Sequence, residues 1–180
     1  MKVDLYEKIW MWTIGVVLTA FFISTAVAAV GSSIHPPSHV ETIDPRQVMT
    51  DARFRTPGVS VDANGSLHAR IVGMTFAWLP NMLVLPEDTP VTFHVTALDV
   101  IHGFQIVRTN GQSMVLPGYV SQFTTTFSDP GEYLIVCNEY CGVGHHAMAA
   151  KMRVVPKAEW QSPATPVASA VEAGGRHGHE

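Results

Sequence analysis

The chain predicts an antiparallel all-β sandwich or barrel standing behind one membrane-spanning helix, and three observations predict it. Residues 9–30 contain no charged side chain. From about Leu67 onward the apolar period changes to two, the spacing of a strand with one buried face. The alternating runs are short and are separated by Asn110-Gly111, Pro117-Gly118 and Pro130-Gly131, turn-forming pairs that suit a sandwich or barrel.

The apolar run comes first. As a helix rising 1.5 Å per residue it would be roughly 33 Å long, enough to cross the ~30 Å hydrocarbon core of a bilayer. Trp10 and Trp12 suit a membrane interface. A secretory signal peptide competes, because Ala26-Val27-Ala28 offers a small-residue cleavage site, but such peptides have a shorter apolar core. An uncleaved anchor in membrane lipid is therefore expected over residues 9–30. Lys2 and Lys8 precede the span and no Lys or Arg follows until Arg46, so residues 1–8 are expected in the cytoplasm and the remainder outside.

Residues 31–58 read as a linker. They carry Pro36-Pro37, Pro45 and Pro57, with one short helix expected around residues 45–52, where Pro45 would sit in the first turn. The β domain is expected over 59–157. Its strand candidates are 67–76, 82–85 after the turn-like Leu79-Pro80-Asn81, 91–97, 101–107, 122–127, 133–136 and 149–155. In 91–97 the apolar Val91, Phe93, Val95 and Ala97 alternate with Thr92, His94 and Thr96. Residues 158–180 are rich in Ala, Pro, Ser and Gly and read as a disordered tail, whose His177 and His179 are expected to have no specific role. The formal charge of −4 argues against a nucleic-acid partner. Two cysteines are too few for a disulfide scaffold, so their spacing carries the information.

That spacing lies in Cys137-Asn138-Glu139-Tyr140-Cys141-Gly142-Val143-Gly144-His145-His146-Ala147-Met148, between two strand candidates. Cys141, His145 and Met148 put a thiolate, an imidazole and a thioether on one loop, a soft donor set that suits copper. A second imidazole is available from Asp99-Val100-Ile101-His102-Gly103-Phe104. Cys137 adds a second thiolate, so two sulfurs could face each other across two metals. An electron shared between metals in a rigid frame changes little geometry on transfer, which favours speed. Two other readings remain open at this point: a disulfide, or structural zinc bound with His145. Neither accounts for Met148 or for the distant His102. His146 is expected in solvent or at a partner interface, His94 is expected to be an ordinary surface residue, and His68 has no partner legible in the sequence. Met74 and Met82 are expected to serve packing.

The motif C-x-E-x-C-x3-H-x2-M with an upstream D-V-x-H resembles the CuA site of cytochrome c oxidase subunit II. Ala97-Leu98-Asp99-Val100-Ile101-His102-Gly103-Phe104, Leu116-Pro117-Gly118 and Pro130-Gly131-Glu132-Tyr133 fit the same family, over about residues 5–156. The single span, the short chain and Phe76-Ala77-Trp78 resemble its B-type (ba-type) branch. The resemblance implies a cupredoxin-like Greek-key fold holding dinuclear copper. It implies that Cys137 and Cys141 bridge both coppers, that His102 and Met148 complete one, and that His145 and the backbone carbonyl of Glu139 complete the other. In many relatives the Glu139 side chain also helps hold magnesium at the boundary with subunit I, although B-type relatives often depart from Glu there. Phe76 and Trp78 would lie where electrons arrive, Trp78 being the better candidate.

The function implied is that of an electron-transfer subunit with no catalytic residue of its own. It would accept electrons from cytochrome c and pass them to haem in subunit I, where oxygen is reduced to water and protons are pumped. Over residues 62–155 seven acidic residues face four basic ones, an excess that allows docking to a basic cytochrome. The copper subunit of a nitric oxide reductase and a stand-alone membrane-anchored copper protein would use similar ligands. A nitrous oxide reductase would need a propeller for which the chain has no length, and quinol oxidase subunits lack the ligands.

Overall fold

The computed structural model describes residues 4–31 and 41–162. They fall into two compact units divided after Val40.

The first unit is the helix α1 (Leu5–Gly31), which begins four residues before the charge-free run. Ile9, Trp10, Met11 and Trp12, each turned about 100° from the last, go round the helix and all are exposed. A helix apolar on every face calls for a nonpolar surrounding, and this one is long and apolar enough to cross a bilayer. Its few hydroxyls are satisfied internally: Thr13 donates to the Ile9 carbonyl, Thr19 to Gly15, and Thr25 to Phe21, at 2.8–2.9 Å. In hydrocarbon that matters, because a polar group without a partner costs several kcal/mol there. At the start the Asp4 carboxylate accepts from the Tyr6 backbone N–H at 2.9 Å, covering an end donor.

The second unit is the expected all-β, cupredoxin-like sandwich. Its strands in chain order are β1 (Glu41–Thr42), β2 (Gly58–Val61), β3 (Leu67–Met74), β4 (Ala77–Leu79), β5 (Met82–Pro86) and β6 (Val91–Ala97). After these come β7 (His102–Ile106), β8 (Gln112–Val115), β9 (Tyr119–Thr125), β10 (Gly131–Cys137) and β11 (Ala149–Val155). One sheet has the order β1-β9-β6-β3-β2, with β4 paired to β3; the other is β5-β11-β10-β7-β8. The sandwich is not wholly antiparallel: β3 pairs with β6, and β11 with β5, in parallel. The physical reason is the crossing of β5 into the second sheet. The chain then returns to lie beside β3 from the same end, as a parallel pair requires.

The alternation in β6 holds through Val95 and fails at Thr96, which is fully buried with its hydroxyl donating to Tyr119 O at 2.8 Å. Val91, Phe93, Val95 and Ala97 are buried between the sheets, while Thr92 and His94 face outward. Phe93 stacks on Phe123 at 4.9 Å between ring centroids and meets Phe104 and Phe127 at 6.0 and 6.3 Å. Burying each such ring contributes roughly 1.5–3 kcal/mol, and each favourable ring pair about 0.5–1.5 kcal/mol more. The same buried cluster runs on without a break to Cys137, Cys141 and Met148.

Three expectations are corrected. The domain begins near residue 41, not 59, because β1 pairs with β9 and Ile43, Val48 and Phe54 form a second small core against Val72 and Val120. The helix expected over 45–52 is a series of turns, with Thr50 N donating to Gln47 O and Phe54 N to Asp51 O at 2.9 and 3.0 Å. Here tertiary contact overrides local preference. Val48 and Phe54 are drawn onto the sheet, and the Asp51 carboxylate takes the Arg53 backbone and guanidinium N–H groups, a local alternative to helix bonds. At the other end Lys157 N donates to Glu87 and Trp160 Nε1 to Val84 O, so the ordered contacts run past 158. The rest of the expected tail, from 163, and residues 32–40 of the expected linker lie outside the described residues.

Candidate metal centre

The core ends at one tip of the sandwich, and there the chemistry-bearing residues meet. β7 starts at His102, β10 ends at Cys137, and the loop from 138 to 148, with a short 3-10 turn (His145–Ala147), leads into β11. The two sulfurs are 3.9 Å apart and unbonded. A disulfide would need about 2.05 Å, so the disulfide reading does not hold. His102 Nδ1 lies 3.8 Å from Cys137 Sγ, and His145 Nδ1 lies 3.6 Å from Cys141 Sγ. Met148 Sδ is 3.7 Å from Cys141 Sγ, and the Glu139 carbonyl oxygen is 3.1 Å from Cys137 Sγ. Donor atoms of His102, Cys137 and Cys141 all fall within 4.8 Å of one another. All six residues named from the sequence are thus brought to one place by three separate elements.

The surroundings are dry and preorganised. His102 is fully buried, and Cys137, Cys141 and Met148 are nearly so. Burial first, and then the neighbouring Cys137, push the Cys141 thiol up to about 11. A thiol so disposed keeps its proton without a metal and would release it to solvent only as a metal takes its place on the sulfur, which couples metal binding to proton release. The donor set is soft sulfur plus imidazole, in a pocket that excludes water, and it fits copper.

One supporting residue went unassigned in the sequence. Asp99 Oδ1 lies 2.9 Å from His102 Nε2 and accepts from Val100 N at 2.7 Å, while Oδ2 accepts from Thr75 N at 2.6 Å. Burial by itself would raise this carboxyl, but the bonds from His102, Thr75 and Val100 outweigh it and hold it down near 2. An anion therefore faces Nε2 at neutral pH. It favours the tautomer with hydrogen on Nε2 and a bare lone pair on Nδ1, aimed at the sulfurs. The i, i+3 spacing of Asp99 and His102 was the available signal.

The loop is tied to β7 through its backbone. Asn138 N donates to Gly103 O at 2.9 Å, and Cys137 N to Met148 O at 3.2 Å. A β-carbon on Gly103 would meet the Asn138 side chain and stand 2.9 Å from Glu139 N, so only glycine admits this approach. The Glu139 carboxylate is exposed and has no hydrogen bond or ion pair among the described residues.

The two electron-uptake candidates differ in exposure. Trp78 is 1% exposed and cannot meet a soluble partner. Its ring instead packs edge-on against His102 and Phe104, with centroids at 5.7 and 5.2 Å. Phe76 is half-buried and reaches the surface. Around the site Tyr140 and Val143 are 73% and 86% exposed, and Val100 and Ile101 also face outward, an apolar rim of the kind that marks an interface.

The remaining histidines divide. His146 is exposed, as expected. His94 is not an ordinary surface residue: its Nε2 lies 3.0 Å from His68 Nδ1, and His68 Nε2 lies 3.4 Å from Asp62. The register of β3 and β6 places His68 beside Thr92 and Arg70 beside His94, a proximity between strands that no sequence spacing reveals. Met82, expected to pack, is 41% exposed.

Comparison with known proteins gives a consistent result. The family model described as cytochrome C oxidase subunit II, periplasmic domain, matches residues 67–155. A cytochrome c oxidase subunit 2 of Thermus thermophilus is 35% identical over 151 residues, covering 79% of this chain and 88% of that one. Another from Thermus thermophilus is 36% identical over 119 residues, 65% of this chain and 88% of that one. Among solved structures, a chain from the cryo-EM structure of a heme-copper terminal oxidase dimer is 29% identical, with a TM-score of 0.62, covering 83% of this chain and 99% of that chain.

Proposed function

The chain belongs to the cytochrome c oxidase subunit II family, and from that premise we propose that its β domain holds a dinuclear CuA centre that takes electrons from a cytochrome c. As a subunit of a haem–copper oxidase, an oxidoreductase complex, it works beside subunit I, whose haem receives those electrons for the reduction of oxygen to water with proton pumping. The observation that carries the reading is the pair of buried, unbonded sulfurs 3.9 Å apart, each with an imidazole Nδ1 within 3.8 Å.

When bound, the copper pair supplies one-electron redox chemistry shared over two metals. The chain's own residues do the rest. Cys137 and Cys141 would hold both coppers through their thiolates; His102 and Met148 would complete one, and His145 and the Glu139 carbonyl would complete the other. Asp99 fixes the His102 ring through its Nε2 hydrogen. Trp78 and Phe104 wall the inner side against water and keep the ring from turning. Because every donor is anchored to a strand end or to a backbone-tied loop, the ligand cage need not rearrange when an electron arrives or leaves. The exposed apolar rim of Val100, Ile101, Tyr140 and Val143 supports a small, transient contact with the donor, as electron-transfer partners use.

Lys2 and Lys8 support a cytoplasmic N-terminus, with α1 in the membrane and the copper domain on the periplasmic or extracellular side. The single span and the Phe76-Ala77-Trp78 segment support the B-type branch. Glu139, with its carboxylate free at the rim, is the residue through which a magnesium ion shared with subunit I would be held. The relatives are oxidase subunits, so the nitric oxide reductase and stand-alone carrier readings are not favoured.

Metal analysis and electron paramagnetic resonance of the full-length, copper-loaded chain in detergent test the reading. Two coppers per chain are expected, with the hyperfine pattern of one electron shared by both nuclei. A single copper, or a pattern from one nucleus, overturns it.

A further inference from the structure

The turn between β3 and β4 contains no expected ligand, and it lies at the surface, yet it touches the supports of both histidines at the site. Its first residue, Thr75, donates its backbone N–H to Asp99 Oδ2 at 2.6 Å, and Asp99 Oδ1 lies 2.9 Å from His102 Nε2. Its second residue, Phe76, lies with its ring against the loop that joins Cys141 to His145. A β-carbon on Gly142 would stand 3.0 Å from that ring, and one on Gly144 only 2.5 Å from it. Real β-carbons essentially never come as close as 2.5 Å, and 3.0 Å is tighter than most, so ring and backbone share this space because Gly144 is glycine, with Gly142 adding room beside it. Gly142 also has a φ of +129°, which other residues rarely adopt.

The segment under the ring is the one from which His145 hangs. His145 N donates to Gly142 O at 3.1 Å, and Ala147 N to Gly144 O at 3.0 Å. Those bonds close the turn on itself but do not tie it to the sheets. Phe76 supplies the outer wall. The turn is in turn anchored by Trp78, two residues on, which is buried against His102, Phe104 and Gly73.

Resting on the copper reading above, we propose that Thr75 and Phe76 form one brace that positions both histidines at once: His102 through Asp99, and His145 through the two glycines. Phe76 acts as a positioning residue that seats the glycine-rich loop, a role separate from carrying electrons. Glycine has more conformational freedom to lose than any other residue. Without the ring, the 142–144 segment has only the Val143 side chain, which is 86% exposed and too little buried to hold it, so His145 leaves its place beside Cys141 and water reaches the sulfur.

The test uses the full-length chain in detergent, loaded with copper. Three quantities are read: copper per chain, the paramagnetic resonance spectrum, and the rate at which a chelator removes the metal. Phe76→Ala is expected to lose copper roughly tenfold faster, in the range usual for residues that orient metal ligands, and to show altered hyperfine structure. Phe76→Leu, which restores bulk without an aromatic ring, is expected to stay close to the wild-type rate. Gly144→Ala forces ring and loop apart from the other side and is expected to match Phe76→Ala. A wild-type rate and spectrum in Phe76→Ala overturns the brace, and with two coppers in the wild type the copper reading stands without it. If Phe76→Ala does not fold, Gly144→Ala decides, and a wild-type rate there overturns the brace equally. Fewer than two coppers in the wild-type chain overturns the copper reading and the brace with it.

Discussion

Replacing Asp99 by Asn keeps the size and shape of the side chain while removing its charge and one of its acceptor oxygens, so it probes what the carboxylate does for His102. In the native site Oδ1 faces two donors, His102 Nε2 at 2.9 Å and Val100 N at 2.7 Å, and Oδ2 faces a third, Thr75 N at 2.6 Å. An amide has one oxygen and one NH2. Whichever way it turns, a donor meets a donor on one side. If the oxygen stays toward His102, the Thr75 N–H loses its acceptor at an exposed position where water can replace it. The bond to His102 survives but loses its charge assistance. Charge-assisted bonds contribute about 1.5–3 kcal/mol against about 1 for neutral ones. The difference, about 0.5–2 kcal/mol, spans the 1.4 kcal/mol that is a factor of ten in an equilibrium constant. The expected outcome is that Asp99→Asn still binds two coppers but holds them roughly tenfold more weakly, measured by equilibrium competition with a chelator on the full-length chain. Affinity within twofold of wild type would mean that His102 is held by Trp78 and Phe104 packing alone, and the account of the tautomer would fail.

Cys137→Ser should leave at most one copper per chain, because a hydroxyl does not bridge as a thiolate does; a resonance spectrum still showing an electron shared by two nuclei would refute bridging. Met148→Leu conserves volume and should keep the fold and both coppers, while spectroelectrochemical titration shows a changed potential; complete loss of copper would contradict a weak thioether role. His94 is pressed down to about 4, first by burial and then by Arg70 and His68. The folded state therefore takes up this proton only near pH 4, whereas the unfolded chain takes it up near the ordinary value of about 6.5. The stability it contributes is complete above the higher figure and is lost as pH falls toward the lower one, by something on the order of 1–2 kcal/mol after discounting for partial exposure. Thermal unfolding of His94→Gln should accordingly vary less than wild type across that window, and an identical profile would show that the pair is not stressed by acid.

The location of the site follows from where the core stops. Phe93, Phe104 and Phe123 fill the sandwich interior, and Trp78 carries the packed region up to the His102 ring. Ligands set at the end of such a core inherit its rigidity, since close-packed interiors resist small displacements. Only the loop ligands, Glu139 and His145, lie beyond that support. They are held by backbone contacts to Gly103 and by the Phe76 ring.

The sequence alone determined the local features. An uninterrupted apolar run specifies a helix that must avoid water, alternation at period two specifies strands with one buried face, and the spacing within Cys137 to Met148 specifies which donors one loop can present together. Each is a relation between residues near in the chain, where backbone geometry leaves few choices. What tertiary structure decided were relations between distant residues. His68 meets His94, Phe54 folds back onto Val72, β5 crosses sheets to make two parallel ladders, and Trp78 points inward while Phe76 remains at the surface. No spacing encodes these, because they depend on which faces compete for the same buried volume, and that competition is settled only when all the strands pack at once.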